Sequence, residues 1–206
     1  MTDPVEDALR RAFLPVVISD GTDRITRDTQ RVAAVLLPFV KRASGWHLIY
    51  TQRPETMPNH AGQISFPGGK AETGETVLEA ALRETEEEIG LSADELDVIG
   101  RLPSFDATGF FRVTPFAAIV DPQADLEIDE HEVADVFEVP LSFLMDPDNH
   151  VAKAVDFDGE THTVYYMPYT GPDGIYRNIW GMTAGMTRRV WNRAFNRSSD
   201  RTAIAG

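Results

Sequence analysis

The 206-residue sequence contains no cysteine, which excludes a disulfide framework and a thiolate metal site and is compatible with a reducing compartment. No apolar run approaches the ~20 residues that cross a bilayer as a helix. The opening "MTDPVEDALRRAFLPVV" lacks the basic start, long apolar stretch and small-residue cleavage site of a signal peptide. A soluble, cytoplasmic protein without a membrane partner is expected. Basic residues are scarce, with 19 Lys and Arg against 33 Asp and Glu and a formal net charge of −14. Nucleic-acid binding needs lysine and arginine to neutralise phosphates, so no nucleic-acid partner is expected.

What is present suits one well-cored domain: 42% apolar and 25% charged residues at enzyme-like length. The charge is uneven. Residues 121–138 hold eight acids and no lysine or arginine, whereas Arg177 to Arg201 include six arginines and one acid, Asp200. Solvated faces account for both segments as well as binding roles do.

Residues 5–13 place Val5, Ala8, Leu9 and Phe13 at helical spacing, and the polar "SDGTDRITRDTQ" after them reads as a lead-in. We therefore expect an N-terminal helix with its lead-in over 1–30 and the main domain over 31–206. "RVAAVLLPFV" and "WHLIYTQR", split by "KRASG", read as two strands joined by a turn. "QISFP", "LDVIGRL", "TPFAAIV" and "DVFEVPL" are further strand candidates, with "AVDFDG" and "HTVYYMPY" as a hairpin. Helices are expected at 76–89, around 141–145, and at 182–196. This order predicts an α/β fold, a mixed sheet with helices on both faces.

Seven glutamates fall between Gly68 and Leu91, although like charges one helical turn apart repel by a few tenths of a kcal/mol. Thr76 and Glu79 have the spacing of a capping box, and Gly90 suits the residue just past a helix end. At about 100° per residue, Glu84, Glu87 and Glu88 share an arc of roughly 100°, with Leu78, Leu82 and Ile89 about 150° away. The expectation is a helix that packs by one side and presents three carboxylates on another. A hard divalent cation would remove their repulsion, and oxygen-only ligands suit Mg²⁺ or Mn²⁺. A merely acidic surface helix fits the spacing too. "PGGK" ahead of it allows close backbone approach to a ligand and amide donors at a loop-to-helix entry.

Gly69, Glu75 and "RETEEEIGL" from Arg83 to Leu91 match G-x5-E-x7-R-E-U-x-E-E-x-G-U, where U is bulky and aliphatic. This resembles the Nudix box. The one departure is Thr85 at the first U position, where its methyl can still pack. Upstream, "LIYTQRPETMPNHAGQISFPGG" is similar to the additional signature of the coenzyme A pyrophosphatase branch of that family, and "VTPFAAIV", "EVADVFEVPLSFLMDP" and "IWGMTAGM" also resemble that branch.

The resemblance implies an α/β/α sandwich around a mixed sheet. It implies metal-dependent hydrolysis of coenzyme A to adenosine 3′,5′-bisphosphate and 4′-phosphopantetheine. Carried over by position, Glu84, Glu87 and Glu88 become the metal ligands. The Gly68 carbonyl completes the metal shell, Arg83 orients a carboxylate, and Glu75 lies behind them. Glu132, with Glu130 behind it, is the candidate for a further carboxylate or base. Arg53, His60 and Lys70 are the candidate substrate contacts. Arg188, Arg189 and Arg193 are candidates for receiving the 3′-phosphate. Pyrophosphatases for ADP-ribose or dinucleotides, and a nucleotide-binding sensor without catalysis, are the rivals. Trp180, Met182, Met186, Val190 and Trp191 read as core packing or a homodimer contact. Because carboxylate ligands must lose their protons, metal affinity should weaken as pH falls toward the carboxylate range.

Overall fold

The computed structural model describes residues 3–16, 31–107, 111–157 and 159–196. The described chain falls into two compact units, one of residues 13–138 and one of residues 1–12 with 139–206. The polar lead-in over 19–30, and with it the expected boundary after residue 30, lies outside the described residues.

The unit of residues 13–138 is built on a mixed sheet. Strands β1 (Val32–Arg42), β2 (Gly45–Gln52), β3 (Ile64–Ser65), β4 (Gly68–Lys70), β5 (Leu96–Arg101), β6 (Phe105–Asp106), β7 (Arg112–Val120) and β8 (Asp135–Pro140) form it. The spatial order is β3-β2-β1-β7-β5, with β4 also on β1, β6 on β7 and β8 on β2. Only β1 and β7 run parallel among the registers resolved; the apolar run of β1 is central and largely buried, as a strand paired on both sides requires. Pro38, which has no N–H to donate, falls between the stretches of β1 that pair with β4 and with β2.

The helix α2 (Val77–Ile89) packs on β1 and β4. Its start is set by the expected capping box: the Thr76 hydroxyl accepts from the Glu79 amide, and the Glu79 carboxylate accepts from the Thr76 amide at 2.7 Å. Its end is Gly90, in the left-handed conformation at φ 76°. Ala80 and Ala81 let the helix lie close on Ala34, Leu36 and Phe116.

The second unit holds α1 (Pro4–Ala12), α3 (Leu141–Leu144), a three-stranded antiparallel sheet and α4 (Gly181–Val190), which continues into a wider π-type turn over Trp191–Phe195. Its strands β9 (Val151–Phe157), β10 (Glu160–Thr170) and β11 (Tyr176–Trp180) lie in the order β11-β10-β9. The hairpin expected near 154–169 is the β9–β10 pair; β11 was not expected, because "YRNIW" is short and alternates without a strong apolar run.

The aromatic and methionine group of this unit is split by burial. Met186, Val190 and Trp191 are buried, while Trp180 and Met182 are more than 40% exposed, so core packing describes only the first three. Two of the candidate arginines, Arg188 and Arg193, make local contacts. The Arg188 guanidinium lies 4.3 Å from the Tyr165 ring centroid and donates to His150 Nδ1 at 3.0 Å. Arg193 Nε donates to the Ala12 carbonyl. These contacts give both side chains structural work that the sequence alone did not suggest.

Among the described residues, no helix is long and apolar enough to cross a membrane.

Candidate active site

Helix α2 does not divide into a packed side and an acidic side. Its buried residues are Ala80, Ala81, Thr85, Glu88 and Ile89, whereas Leu78 and Leu82 are only partly buried. Glu88 therefore stands inside the packed stripe at 4% exposure. Short alanines on the helix bring it so close to the sheet that β4 lies against it, and the contact face is rotated toward Glu88. Thr85 is fully buried, and its hydroxyl donates to the Ala81 carbonyl at 2.7 Å. That bond satisfies the one polar atom introduced by its departure from the motif.

The glycine pair also departs from expectation. Gly68 and Gly69 are not a loop entering a helix but part of β4, paired with Val35 and Ala34 of β1. The Gly68 amide donates to the Glu88 carboxylate at 3.3 Å. The backbone of Gly68 thus lies directly against the acidic group through its amide. A side chain on Gly69 would fall on the Glu84 carboxylate. The position thus holds a carboxylate against bare backbone, a feature no motif spacing reveals.

Burial is the main reason that Glu88 is raised to about 8; the nearby charges of Glu84 and Glu132 add to it, while the Gly68 amide and Arg53 oppose it. Glu84 is also raised, first by burial and further by Glu87 and Glu132, against the pull of Arg83. Glu132, more than forty residues away in sequence, therefore shares the field of both carboxylates. Glu87 is different: it is exposed and its carboxylate accepts from Arg83 at 2.8 Å.

Arg83 organises the acidic group. Its guanidinium meets Glu75 at 3.1 Å and Glu84 at 3.0 Å, and donates to the Lys70 carbonyl at 3.2 Å. Burial alone would raise Glu75, yet hydrogen bonds from Arg83 and from the Glu72 amide hold it below its ordinary range. Lys70 enters this arrangement through its backbone, and its side chain is exposed.

The segment from Arg53 to Gln63 is pinched shut by the Arg53 amide donating to the Gln63 carbonyl at 3.0 Å. Within it His60 has φ 58° and donates from Nδ1 to Gln63 Oε1 at 2.9 Å, so its ring braces the loop. A non-glycine residue in this conformation carries strain of order 1 kcal/mol or more. Arg53 Nε is buried without a hydrogen-bond partner.

Among the described residues, no three His, Asp or Glu side chains stand as a closed metal cage. The donors nevertheless suit a hard divalent cation. Glu84 and Glu88 offer carboxylate oxygens, the charge of Glu84 adds to the rise of Glu88, and the missing side chain at Gly69 leaves Glu84 its place. Glu87 differs from Glu84, which Arg83 also meets, in standing exposed to solvent.

The model of the NUDIX domain matches residues 29–168. The chain is 38% identical over 162 residues to an uncharacterized Nudix hydrolase, NudL, of Citrobacter koseri, covering 78% of this chain and 81% of that protein. It is 37% identical over 170 residues to the protein of the same name in Escherichia fergusonii, covering 81% and 85%. A MutT/nudix family protein from Enterococcus faecalis, solved by crystallography, is similar in fold with a TM-score of 0.55 at 13% identity, covering 87% of this chain and 69% of that one.

Proposed function

Because the chain belongs to the NUDIX family of hydrolases, we propose that it cleaves the pyrophosphate linkage of coenzyme A or its derivatives with Mg²⁺ or Mn²⁺. The products are adenosine 3′,5′-bisphosphate and 4′-phosphopantetheine or its acyl form. The observation that carries this reading is the buried, unpartnered Nε of Arg53 in the field of Glu88. A phosphate oxygen is the partner a guanidinium is built to take. The similarity of residues 48–69 to the coenzyme A signature supports the choice of substrate.

Glu84 and Glu88 would hold the metal, with Glu87 joining them on release from Arg83. The bound ion supplies charge neutralisation at the phosphates and acidifies water. Arg53 binds a phosphate oxygen, while His60 keeps its loop closed and Lys70 contacts substrate from the exposed rim. Arg83 holds the Glu84 carboxylate in orientation. Glu132 takes the proton from the attacking water. As the new oxygen–phosphorus bond forms, the bond from phosphorus to the bridging oxygen breaks, and the second phosphate leaves with that oxygen.

Product analysis tests the reading. The protein is incubated with coenzyme A, ADP-ribose, NADH and diadenosine polyphosphates in Mg²⁺ or Mn²⁺, beside a Glu88→Gln control. We expect 4′-phosphopantetheine from coenzyme A, absent in the control. Cleavage of another substrate in preference would discard coenzyme A and keep the family chemistry, while tight nucleotide binding without cleavage would favour a sensor. Loss of a general base lowers rates by about 100-fold or more, so Glu132→Gln should reduce kcat by that order. Unchanged turnover would remove Glu132 from the mechanism.

A further inference from the structure

We infer that Gly90 is a positioning residue for Glu132: its missing side chain is the seat on which the acidic segment 121–134 is latched to the end of α2. The inference rests on the role proposed above for Glu132.

The segment looks like a solvated loop in sequence, yet it is tied down along its length. The Asp121 amide donates to the Glu95 carbonyl at 2.9 Å, and Arg42 donates to the Pro122 carbonyl at 2.6 Å. At its other end the Ala134 amide reaches the Gln52 carbonyl at 2.8 Å. Ala124, Leu126 and Val133 pack on the group that includes Val40, Ile49, Ile89 and Leu91. Its acids face outward from an apolar underside.

The central attachment is to the helix terminus. The last carbonyls of a helix lack intrahelical partners, and here the segment supplies two of them: the amides of Glu127 and Asp129 donate to Ile89 and Glu88, each at 3.1 Å. Asp129 then begins a tight turn, its carbonyl accepting from the amides of Glu132 and Val133 at 2.9 and 2.8 Å. Glu132 thus sits one turn beyond a residue bonded to the backbone of Glu88 itself. This short path delivers its charge to Glu84 and Glu88.

Gly90 makes the approach feasible. A side-chain carbon there would stand 3.0 Å from both the amide nitrogen and Cβ of Glu127. Those atoms belong to the latch, and one is the donor to Ile89. The left-handed conformation alone is tolerated by asparagine better than by other side chains, though less well than by glycine. The absence of a side chain is the separate requirement, and it is imposed by the segment.

Two substitutions separate these demands. Gly90→Ala adds backbone strain and the tight contact with Glu127, while Gly90→Asn adds the same tight contact with less backbone strain. Gly174→Ala is the control, since Gly174 has φ 75° and open space around it. Amide hydrogen exchange in the metal-free protein reads the latch, and exchange at Glu127 and Asp129 should accelerate at least about tenfold in both Gly90 variants but not in the control. Turnover should fall by about 10- to 100-fold in both, as for a misplaced catalytic group. Combined with Glu132→Gln, neither Gly90 substitution should lower turnover further. Protected amides in Gly90→Asn, or an undiminished loss of turnover when either variant is combined with Glu132→Gln, would overturn the inference. If Glu132→Gln alone turns over normally, the reading of Glu132 falls and this role of Gly90 with it. An impaired Glu132→Gln with an intact latch in Gly90→Asn defeats only the role of Gly90.

Discussion

Glu88→Gln should abolish hydrolysis and, in metal-free protein above pH 8, make the fold more stable. Burial raises the Glu88 carboxyl to about 8 in the folded chain, against an ordinary 4.5. Between those values the folded protein holds a proton that the unfolded chain has released. The contribution of Glu88 to stability is therefore fully present at or below the unfolded value and is lost as pH rises toward 8, by about 1.4 kcal/mol per pH unit where the difference is one full proton. Glu84, raised by the same cause, adds to the slope. Glutamine at 88 carries no charge at any pH and should flatten the decline. Losing the proposed ligand should lower kcat/KM by more than the 10- to 100-fold or so seen when a ligand's supporting partner is lost.

The measurements are chemical denaturation in chelator at pH 6 and 9, beside turnover with metal. A Glu88→Gln protein that loses stability with rising pH as steeply as wild type would show that the buried carboxyl is not the source. The same proton also moves the pH range of metal competition upward from the ordinary carboxylate range. Cation binding near neutral pH should release about one proton, which calorimetry in buffers of different ionisation enthalpy measures.

Arg83→Ala should cause the second large loss. One guanidinium meets Glu75, Glu84 and Glu87 and the Lys70 carbonyl. Removing it leaves three carboxylates without their common cation, and Glu84 then has burial and its acidic neighbours acting unopposed. A fall in kcat/KM of about 100-fold, with weaker metal binding, is expected from loss of a group that orients ligands. Lysine should restore little, because an ammonium on a flexible stem cannot serve a planar fork of partners together. The Glu75 carboxyl provides an independent readout. Its titration, followed by carboxyl-carbon NMR, should move upward in Arg83→Ala, since Arg83 is among the groups that hold it down. Recovery of most of the activity by Arg83→Lys would show that charge alone suffices there.

Local signals marked much of this protein because they act over one or two helical turns. The capping box at Thr76 and Glu79, the stop at Gly90 and the apolar run of β1 are legible in short windows, since propensity, capping and alternation are properties of neighbours. The pattern from Gly69 to Leu91 likewise pointed to the family now shown by the domain match. Residues 121–138 carry a weaker signal of the same kind: Ala124, Leu126 and Val133 interrupt the acids, as an apolar underside requires.

The sequence by itself determined the cap and stop of α2, most of the strands, and which carboxylates to watch. Only the tertiary structure decided what each carboxylate experiences. The closeness of α2 to β4 buries Glu88 while its neighbour Glu87 remains in solvent, and the pairing of β4 with β1 turns a glycine pair from a loop into the wall beside Glu84. Distance in sequence concealed the approach of Glu132, and of Arg53 toward Glu88. The physical reason is that burial and electrostatic field depend on which surfaces meet, and chain folding sets those meetings between segments that share no local pattern.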